Sequence, residues 1–545
     1  MIEEVRRDQP LEERERVARR TRARPPHSTP REYVRRYGIN PDTGEPLGFR
    51  GYEYLRAILA DPSPRVVIQK AAQVGVTVTA LWRSLWWVEV ARAHTLYLFP
   101  THVSALRFAR GRVSVLLEHS EHLREVFSQR KLGHWRAGHV NLYCHGGRSR
   151  TELMSIPVQA LVVDERDEMY VSAAGAPRVW SALELARQRL SGQKHSWEWL
   201  ISTPTLPGLG ISADFAASDQ HHYHLRCPYC RRHVLPSWPD MVRGWTPGAD
   251  PARAQFACPG CGALWSEAER RQAIARGRWL ARAPDAPTRG YHVTQLIAPH
   301  ASAERLARQA QAAEDDPTAR QAFYNLVLGL PYHSEGTRLE RRYIEEALER
   351  GRTSCAPPQG VTVAGIDVGG RWLHAVVARV CARLLWVIQA QRLPDWHAVL
   401  ELLRRHQVQR YVVDALPETH AARQLLQTYP NGSLCYYRPA GSAWHIQEHI
   451  IRAPRTETLD ALFACFREGR VAATELPEEC IAHLTSLVRL FRRRPDGQFV
   501  AEYVPAGGPD HFAHALGYCL LAAELGQATP VFRAIEPRVV GEIPW

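Results

Sequence analysis

Two Cys-x-x-Cys pairs, Cys227-Pro-Tyr-Cys230 and Cys258-Pro-Gly-Cys261, bring four thiolates into one short stretch. At this spacing they form the soft tetrahedral set of a closed structural Zn2+ site, with no open position for catalysis. Such a ribbon braces a fold or grips DNA, whereas a redox pair needs only one Cys-x-x-Cys. The other seven cysteines (Cys144, Cys355, Cys381, Cys435, Cys465, Cys480, Cys519) follow no spacing and read as thiols of a reducing compartment. His221, His222 and His224 precede the first pair and are expected at the surface, outside the ligand set.

A second chemistry begins where Val66-Val-Ile68 runs into Gln69-Lys-Ala-Ala-Gln-Val-Gly-Val-Thr77 and then helical sequence. Strand, loop and helix N-terminus in that order surround phosphates with backbone N–H groups. Against Gly-x-x-x-x-Gly-Lys-Ser/Thr, residues 70–77 keep the second glycine, Gly75, and the final hydroxyl, Thr77. Val76 replaces the usual lysine, and Lys70 stands at the first position. A four-carbon ammonium reaches phosphates from the far side of the loop while Thr77 Oγ takes Mg2+. Lys70 is one of three lysines (with Lys131 and Lys194) in a chain otherwise basic through arginine, which suits a site wanting a compact point charge. Alone, the segment fits a plain strand-turn-helix with a surface lysine equally well. Gln159-Ala-Leu-Val-Val-Asp-Glu165 adds an apolar strand ending in two acids, Asp164 to hold a Mg2+ shell and Glu165 to orient the attacking water. Trp199-Leu-Ile-Ser-Thr-Pro-Thr205 is a further strand with hydroxyls at its end, fit to sense a γ-phosphate or merely to turn. Arg148 and Arg150 are candidates for a charge-stabilising arginine finger.

A third set is acidic. Val361-Thr-Val-Ala-Gly-Ile-Asp367 leads into Gly369-Gly370, Arg410-Tyr-Val-Val-Asp414 is another apolar strand ending in Asp, and Asp510 opens Gly508-Pro-Asp-His-Phe-Ala-His-Ala515 ahead of a helix. Three carboxylates so placed converge on two Mg2+ or Mn2+ ions about 4 Å apart, one activating water and one stabilising the leaving oxygen of a phosphodiester. Any one strand-end Asp is ordinarily structural; the three in this order point to a nuclease.

The elements that must carry these groups follow from periodicity. Short β-branched runs at 66–68, 95–99, 160–163 and 199–202 alternate with helical stretches at 78–91 and 103–117, the pattern of an α/β domain with a mostly parallel sheet. A strand at 290–296 and a helix over 303–328 follow the cysteine insert. After Ala356-Pro-Pro-Gln-Gly360, strands at 361–368, 373–380 and 384–390, then helix, strand (410–413) and helix, give the order of a ribonuclease-H-like sheet. The expected division is a charged arm at 1–36, a phosphate-loop ATPase domain at 37–352 with a zinc-ribbon insert at about 222–266, a ribonuclease-H-like nuclease domain at 353–527, and a tail at 528–545. Length supports this: 545 residues exceed one core, and 45% apolar with 23% charged residues is a globular balance. No uncharged apolar run reaches about 18 residues. Residues 1–20 lack the apolar core of a secretory signal, so a cytosolic protein with no membrane partner is expected. Lys plus Arg at 69 against Asp plus Glu at 56, a net +13, favours a polyanion, with nucleic acid foremost.

The early-lysine phosphate loop, the Leu-Val-Val-Asp-Glu strand, Ser-Thr-Pro-Thr, the four-cysteine insert, Phe323-Tyr-Asn-Leu-Val-Leu-Gly-Leu-Pro-Tyr332 and Gly365-Ile-Asp-Val-Gly369 occur in one order. Over about residues 50–521 the chain thereby resembles the large terminase subunits of tailed phages, specifically the lambda-like GpA branch. The resemblance implies an ATP-driven motor that pumps double-stranded viral DNA through a portal into a procapsid, and a nuclease that cuts concatemers. By position it implies that Lys70, Gly75, Thr77 and Asp164 bind ATP and Mg2+, that Glu165 catalyses hydrolysis, and that Asp367, Asp414 and Asp510 ligate Mg2+ or Mn2+. It also implies a small terminase subunit and a portal protein as partners, a homo-oligomeric ring during packaging, and the cytoplasm of an infected bacterial host. The N-terminal arm would meet the small subunit and the tail the portal. Two departures stand out: Val76 in place of lysine, and His514 where many relatives carry a further acid, so that His514 either touches metal or only packs. A helicase-like translocase leaves the C-terminal acids unexplained, a transposase-like nuclease leaves Lys70–Thr77 and Asp164-Glu165 unexplained, and a zinc scaffold leaves both.

Overall fold

The computed structural model describes residues 29–147, 156, 158–171, 182–314, 316–332, 338–354, 359–442, 445–493, 499–506 and 508–525. Residues 1–28, Arg148, Arg150, most of the Pro/Gly punctuation at 356–360 and the tail at 528–545 lie outside them. The chain forms two compact units, which part between Tyr332 and Arg338. This is ahead of the expected boundary at 352/353, because helix Arg341–Thr353 buries Ile344, Ala347 and Leu348 in the second core.

Seven parallel strands form the centre of the first unit. Their order is His221–Arg226, Arg289–Val293, Arg65–Lys70, Trp197–Ser202, Ala160–Val163, Thr95–Phe99, Val140–Gly146. Thr95–Phe99 and Ala160–Val163 are buried at every position, as strands covered on both faces must be. Antiparallel strands extend both edges: Arg278–Ala281 on one side, the hairpin His134–Ala137 with Gln129–Lys131 on the other. Helix Val76–Glu89 buries Trp82 and Trp87 against the sheet, and Trp87 meets Trp199 edge-on at 5.6 Å. Because Trp197–Ser202 lies between the phosphate-loop strand and the acidic strand, Lys70, Ser202 and Asp164 emerge at the same carboxyl edge, where open α/β sheets bind ligands.

Four local expectations are corrected. The charged arm stops before residue 36: Thr29 and Glu32 form a capping box that starts helix Pro30–Tyr37, and Tyr33 and Val34 are buried in the first core. The helix expected over 303–328 breaks into Ala303–Ala312, Pro317–Ala322 and the π-helical turn Phe323–Leu328, since Asp316 caps a new start at Pro317. The strand expected at 290–296 ends at Val293, where Thr294 caps a 3-10 turn. His221, His222 and His224 belong to a sheet strand, so the ribbon insert starts after Arg226; His222 packs on His292 at 5.2 Å, and burial holds His222 down to about 3 and His292 to about 4.

In the second unit Val361–Val368, Leu373–Cys381 and Leu384–Leu393 are antiparallel neighbours. Arg410–Asp414, Gly432–Arg438 and Ile450–Pro454 continue in parallel from the other side of Val361–Val368. This is the ribonuclease-H-like arrangement, with the first strand in the middle. Helix His511–Glu524 crosses that strand so closely that any Cβ at Gly365 would overlap the backbone of Ala515 and Cys519. The glycine thus lets the helix bring its N-terminus to Asp367. Among the described residues no helix is long and apolar enough to cross a membrane.

Candidate active sites and metal centre

At the first unit's carboxyl edge, Gly75 has φ +79°, and a Cβ on it would come 2.8 Å from Leu55 Cδ1, so glycine alone fits the turn into the helix. Thr77, in the helix's first turn, donates its hydroxyl to Asp164 Oδ2 at 3.1 Å. Tyr97 donates to the same oxygen at 3.0 Å, and the Glu165 N–H donates to Asp164 Oδ1 at 3.0 Å. The hydroxyl and carboxylate expected to share a Mg2+ are therefore neighbours, and Asp164, 2% exposed, is fully partnered. Glu165 is exposed but takes φ +56°, a left-handed conformation costing a non-glycine residue about 1–3 kcal/mol. Surrounding protein mass, then Asp164 and Glu168, push its carboxyl above the usual range, opposed by Lys70 and Arg107. Lys70 is thus in electrostatic reach of Glu165, although it enters from the strand and not from the helix.

Asp167, which sequence reasoning passed over, is the hub of the Ser-Thr-Pro-Thr segment. Its N–H donates to Ser202 Oγ at 3.1 Å; its carboxylate accepts from the Thr205 N–H and hydroxyl, both at 2.8 Å, and from the Ile211 N–H at 2.7 Å. Burial outweighs these bonds and raises it to about 6. Asn325, in the π-helical turn, donates from the other side to the carbonyls of Pro204 and Thr205. The same turn, with Gln295 from the neighbouring 3-10 turn, grips the phosphate loop: Ala72 N–H donates to Leu326 O at 2.7 Å, Gln295 Nε2 to Ala72 O at 3.0 Å, and Gln69 Nε2 to Gly329 O at 2.9 Å.

The four cysteines converge as expected. Their sulfurs lie within 4.8 Å of one another, with Cys227–Cys261 at 3.9 Å and Cys230–Cys258 at 4.0 Å. Tetrahedral Zn2+ with about 2.3 Å bonds sets sulfurs about 3.8 Å apart. The two knuckles are alike: Arg231 and Gly262 take positive φ and return N–H bonds to the carbonyls of Cys227 and Cys258, while the N–H groups of Cys230 and Gly260 point at Sγ of Cys227 and Cys258. At the insert's base the fully buried Arg270 donates to the carbonyls of Leu296, Ala298 and Ala301, tying it to the first unit.

In the second unit Asp367 is buried, and its Oδ2 lies 2.8 Å from His511 Nδ1. Asp414 accepts from the Leu416 N–H at 3.1 Å. Burial first, then the like charge of Asp367, raise Asp414 to about 7, so the two carboxylates are within electrostatic reach of each other. Asp510 is arranged differently: its Oδ2 meets Arg455 at 3.1 Å and His514 Nε2 at 3.2 Å. Burial opposes ionisation there, yet His514 and Arg455 hold the carboxyl well below its usual range. His514 also reaches Tyr437 OH at 3.5 Å, so it supports Asp510. The close-set group of potential ligands in this region is Asp367, His374 and His511. His374 was missed because only the hairpin register Asp367↔His374 reveals it.

Two family models match the chain: the ATPase domain of the phage terminase large subunit gpA over residues 52–279 and the endonuclease domain of the same subunit over residues 288–453. The second match begins inside the first unit's sheet and ends before the helix that bears His511 and the Asp510 that precedes it. Among solved structures, the chain is similar to the HK97 bacteriophage large terminase at 13% identity, covering 89% of this chain and 97% of that one with a TM-score of 0.49. A large terminase from a thermophilic bacteriophage aligns at 12% identity over 88% of this chain and 99% of that one, TM-score 0.31. The large terminase nuclease of thermophilic phage G20c, solved with bound magnesium, aligns at 15% identity over 30% and 81%, TM-score 0.23. No functionally curated protein matches the sequence. A phosphate-loop unit followed by a ribonuclease-H-like unit defines a motor joined to a nuclease. The chain belongs to the gpA family of phage terminase large subunits, and its two units are the ATPase and the endonuclease.

Proposed function

We propose that the first unit hydrolyses ATP at Lys70, Gly75, Thr77, Asp164 and Glu165 to drive double-stranded viral DNA, and that the second cuts that DNA at Asp367, Asp414 and Asp510. The observation that carries this reading is the Thr77–Asp164 hydrogen bond, which joins two motifs 87 residues apart at the point where a nucleotide-bound Mg2+ belongs. Lys70 pairs with the phosphates, the loop's N–H groups and the helix N-terminus cradle them, and Glu165 orients the attacking water and receives its proton. Asp167 and Asn325 hold the Ser-Thr-Pro-Thr segment beside this site.

Asp367 and Asp414 would hold the divalent ions, and Asp510 would contribute the oxygen not bound to Arg455 and His514. When bound, Mg2+ or Mn2+ activates water and stabilises the leaving oxygen. The cysteines hold Zn2+ and brace the insert. In this reading the subunit works as a homo-oligomeric ring at a procapsid portal with a small terminase subunit, in the cytoplasm of an infected bacterium.

Paired substitutions test it. Glu165→Gln reduces ATP turnover by about 10^2–10^4-fold and spares metal-dependent cleavage of supercoiled plasmid. Asp367→Asn abolishes cleavage and spares ATP turnover. Loss of both activities in either folded variant makes the two-site division wrong.

A further inference from the structure

We propose that an outward sheet face beside the zinc knuckles, carrying Arg226, Arg278, Arg282, His224 and His233, is a docking surface for the phosphate backbone of double-stranded DNA. The proposal rests on the reading of DNA as the substrate and names where the first unit holds it.

Strand register brings these groups together. Arg278 lies opposite His224, and His233 opposite Arg226, each pair across an antiparallel ladder. Opposed residues share a face, as do residues two apart on one strand, so all four side chains stand on one side of the sheet. Tyr223, Leu225 and Val234 take the other side and are buried. Arg226 and Arg278 are exposed, His224 and His233 half-buried. Arg282, exposed just past the end of the edge strand, is within electrostatic reach of His222 on the same face. Arg231 and Arg232, exposed in the first knuckle, directly precede His233.

The positive charge on this face is unbalanced. Burial first, then the basic neighbours Arg278, Arg226 and His224, hold His233 below its usual range. Among the described residues none of Arg226, Arg231, Arg232, Arg278 and Arg282 forms an ion pair, whereas Arg270 and Arg271 bind Glu267, Arg289 binds Asp61 and Asp219, and Arg308 binds Glu304. Like charges side by side on one face destabilise a sheet, and a run of phosphates removes that cost.

Position favours DNA as the occupant. Arg226 closes a strand parallel to that of Lys70, with one strand between them, and Arg278 opens the antiparallel edge strand. Both therefore stand at the carboxyl edge where Lys70 emerges, so DNA held there lies along the same edge as the nucleotide. The surface is open and spread over three strands, which suits a row of phosphates and not one small anion.

The test measures binding of the full-length, zinc-loaded chain to short blunt duplexes of two unrelated sequences over a salt series, without nucleotide, Mg2+ or Mn2+. Each phosphate contact contributes about 0.9 to the slope of log affinity against log salt. Replacing both arginines, Arg226→Ala with Arg278→Ala, is expected to lower that slope by about 1.8 and the affinity at about 0.1 M salt by roughly 50-fold, equally on both sequences. Arg226→Lys with Arg278→Lys keeps the charge and the slope, and Arg308→Ala, which removes a glutamate-paired arginine, leaves the slope unchanged. In the wild type, bound duplex protects Arg226, Arg278 and Arg282 from phenylglyoxal, a readout that needs no variant; zinc content and helical signal check that the variants are folded. An unchanged slope in the double alanine variant, or no protection of these arginines, overturns the proposal, leaves the substrate reading standing and turns the face over to an acidic protein partner. An equal loss in Arg308→Ala overturns it in favour of diffuse charge. A wild type that binds neither duplex overturns the proposal and the substrate reading together.

Discussion

Asp164 and Asp414 each close a buried parallel strand, one in each unit, with different surroundings. Asp164 is satisfied by the hydroxyls of Thr77 and Tyr97 and the Glu165 N–H, all from the protein. Asp414 has the Leu416 N–H, lesser support from Tyr518 and the Ala415 backbone, and the like charge of Asp367, and burial outweighs the bonds. On the proposed reading, the ATPase carboxylate is in place before its cation arrives, whereas the nuclease pair stores a repulsion that a cation would relieve.

Substitution by asparagine breaks the comparison most severely. Asp414→Asn is expected to lower cleavage at least about 100-fold while raising the stability of the metal-free second unit by roughly 1–3 kcal/mol at pH 8. Asp164→Asn is expected to do the opposite to the first unit, losing roughly 1–3 kcal/mol as its buried donors lose a charged acceptor. Separate unfolding transitions in denaturant report both, and equal signs would end the distinction. Next in size, Mn2+ without nucleotide at about 100 times its dissociation constant stabilises the second unit by about 2.7 kcal/mol and leaves the first unit's transition where it was.

A pH series sharpens the contrast within the first unit. Burial raises Asp167 from 3.8 to about 6 in the folded protein. Its proton is therefore bound more tightly in the folded state, and the resulting stabilisation is complete below about 3.8 and lost as pH rises through about 6. Relative to Asp167→Asn, the wild type should gain about 1.4 kcal/mol per pH unit on acidification across that window. A pH-independent difference would refute the burial account. The smallest effect expected is for Thr77→Ser, which keeps the hydroxyl to Asp164: a change within about 0.5 kcal/mol and near-normal ATP turnover.

Much of this was legible before any coordinates. The strand-end acids showed because a buried parallel strand is a continuous apolar run, and the first charged residue after it stands out, as at Asp164 and Asp414. The cysteines showed because four thiolates at knuckle spacing allow few other uses. His374 did not, since a cross-strand partner is set by hairpin register and not by spacing. Asp167 was hidden in the charged run Glu165 to Glu168, where composition does not separate a buried hub from the exposed Glu165 and Glu168. The ordered start at Thr29 was overlooked because the arginine-rich composition outweighed a four-residue capping box.

The π-helical turn at Phe323–Leu328 makes chain length itself part of the first site. A π turn holds more residues per turn than an α-helix, and a one-residue deletion there would restore regular winding. Six residues of π-helix turn the chain by about the same angle as five of α-helix, so such a deletion would keep the flanking phase while shifting the groups within the turn itself. Either Asn325 would swing away from Pro204 and Thr205, or Leu326 and Gly329 would leave Ala72 and Gln69. One turn keeps hold of both the phosphate loop, through its carbonyls, and the Ser-Thr-Pro-Thr segment, through the Asn325 side chain, only at its present count of residues, which makes it intolerant of insertion or deletion.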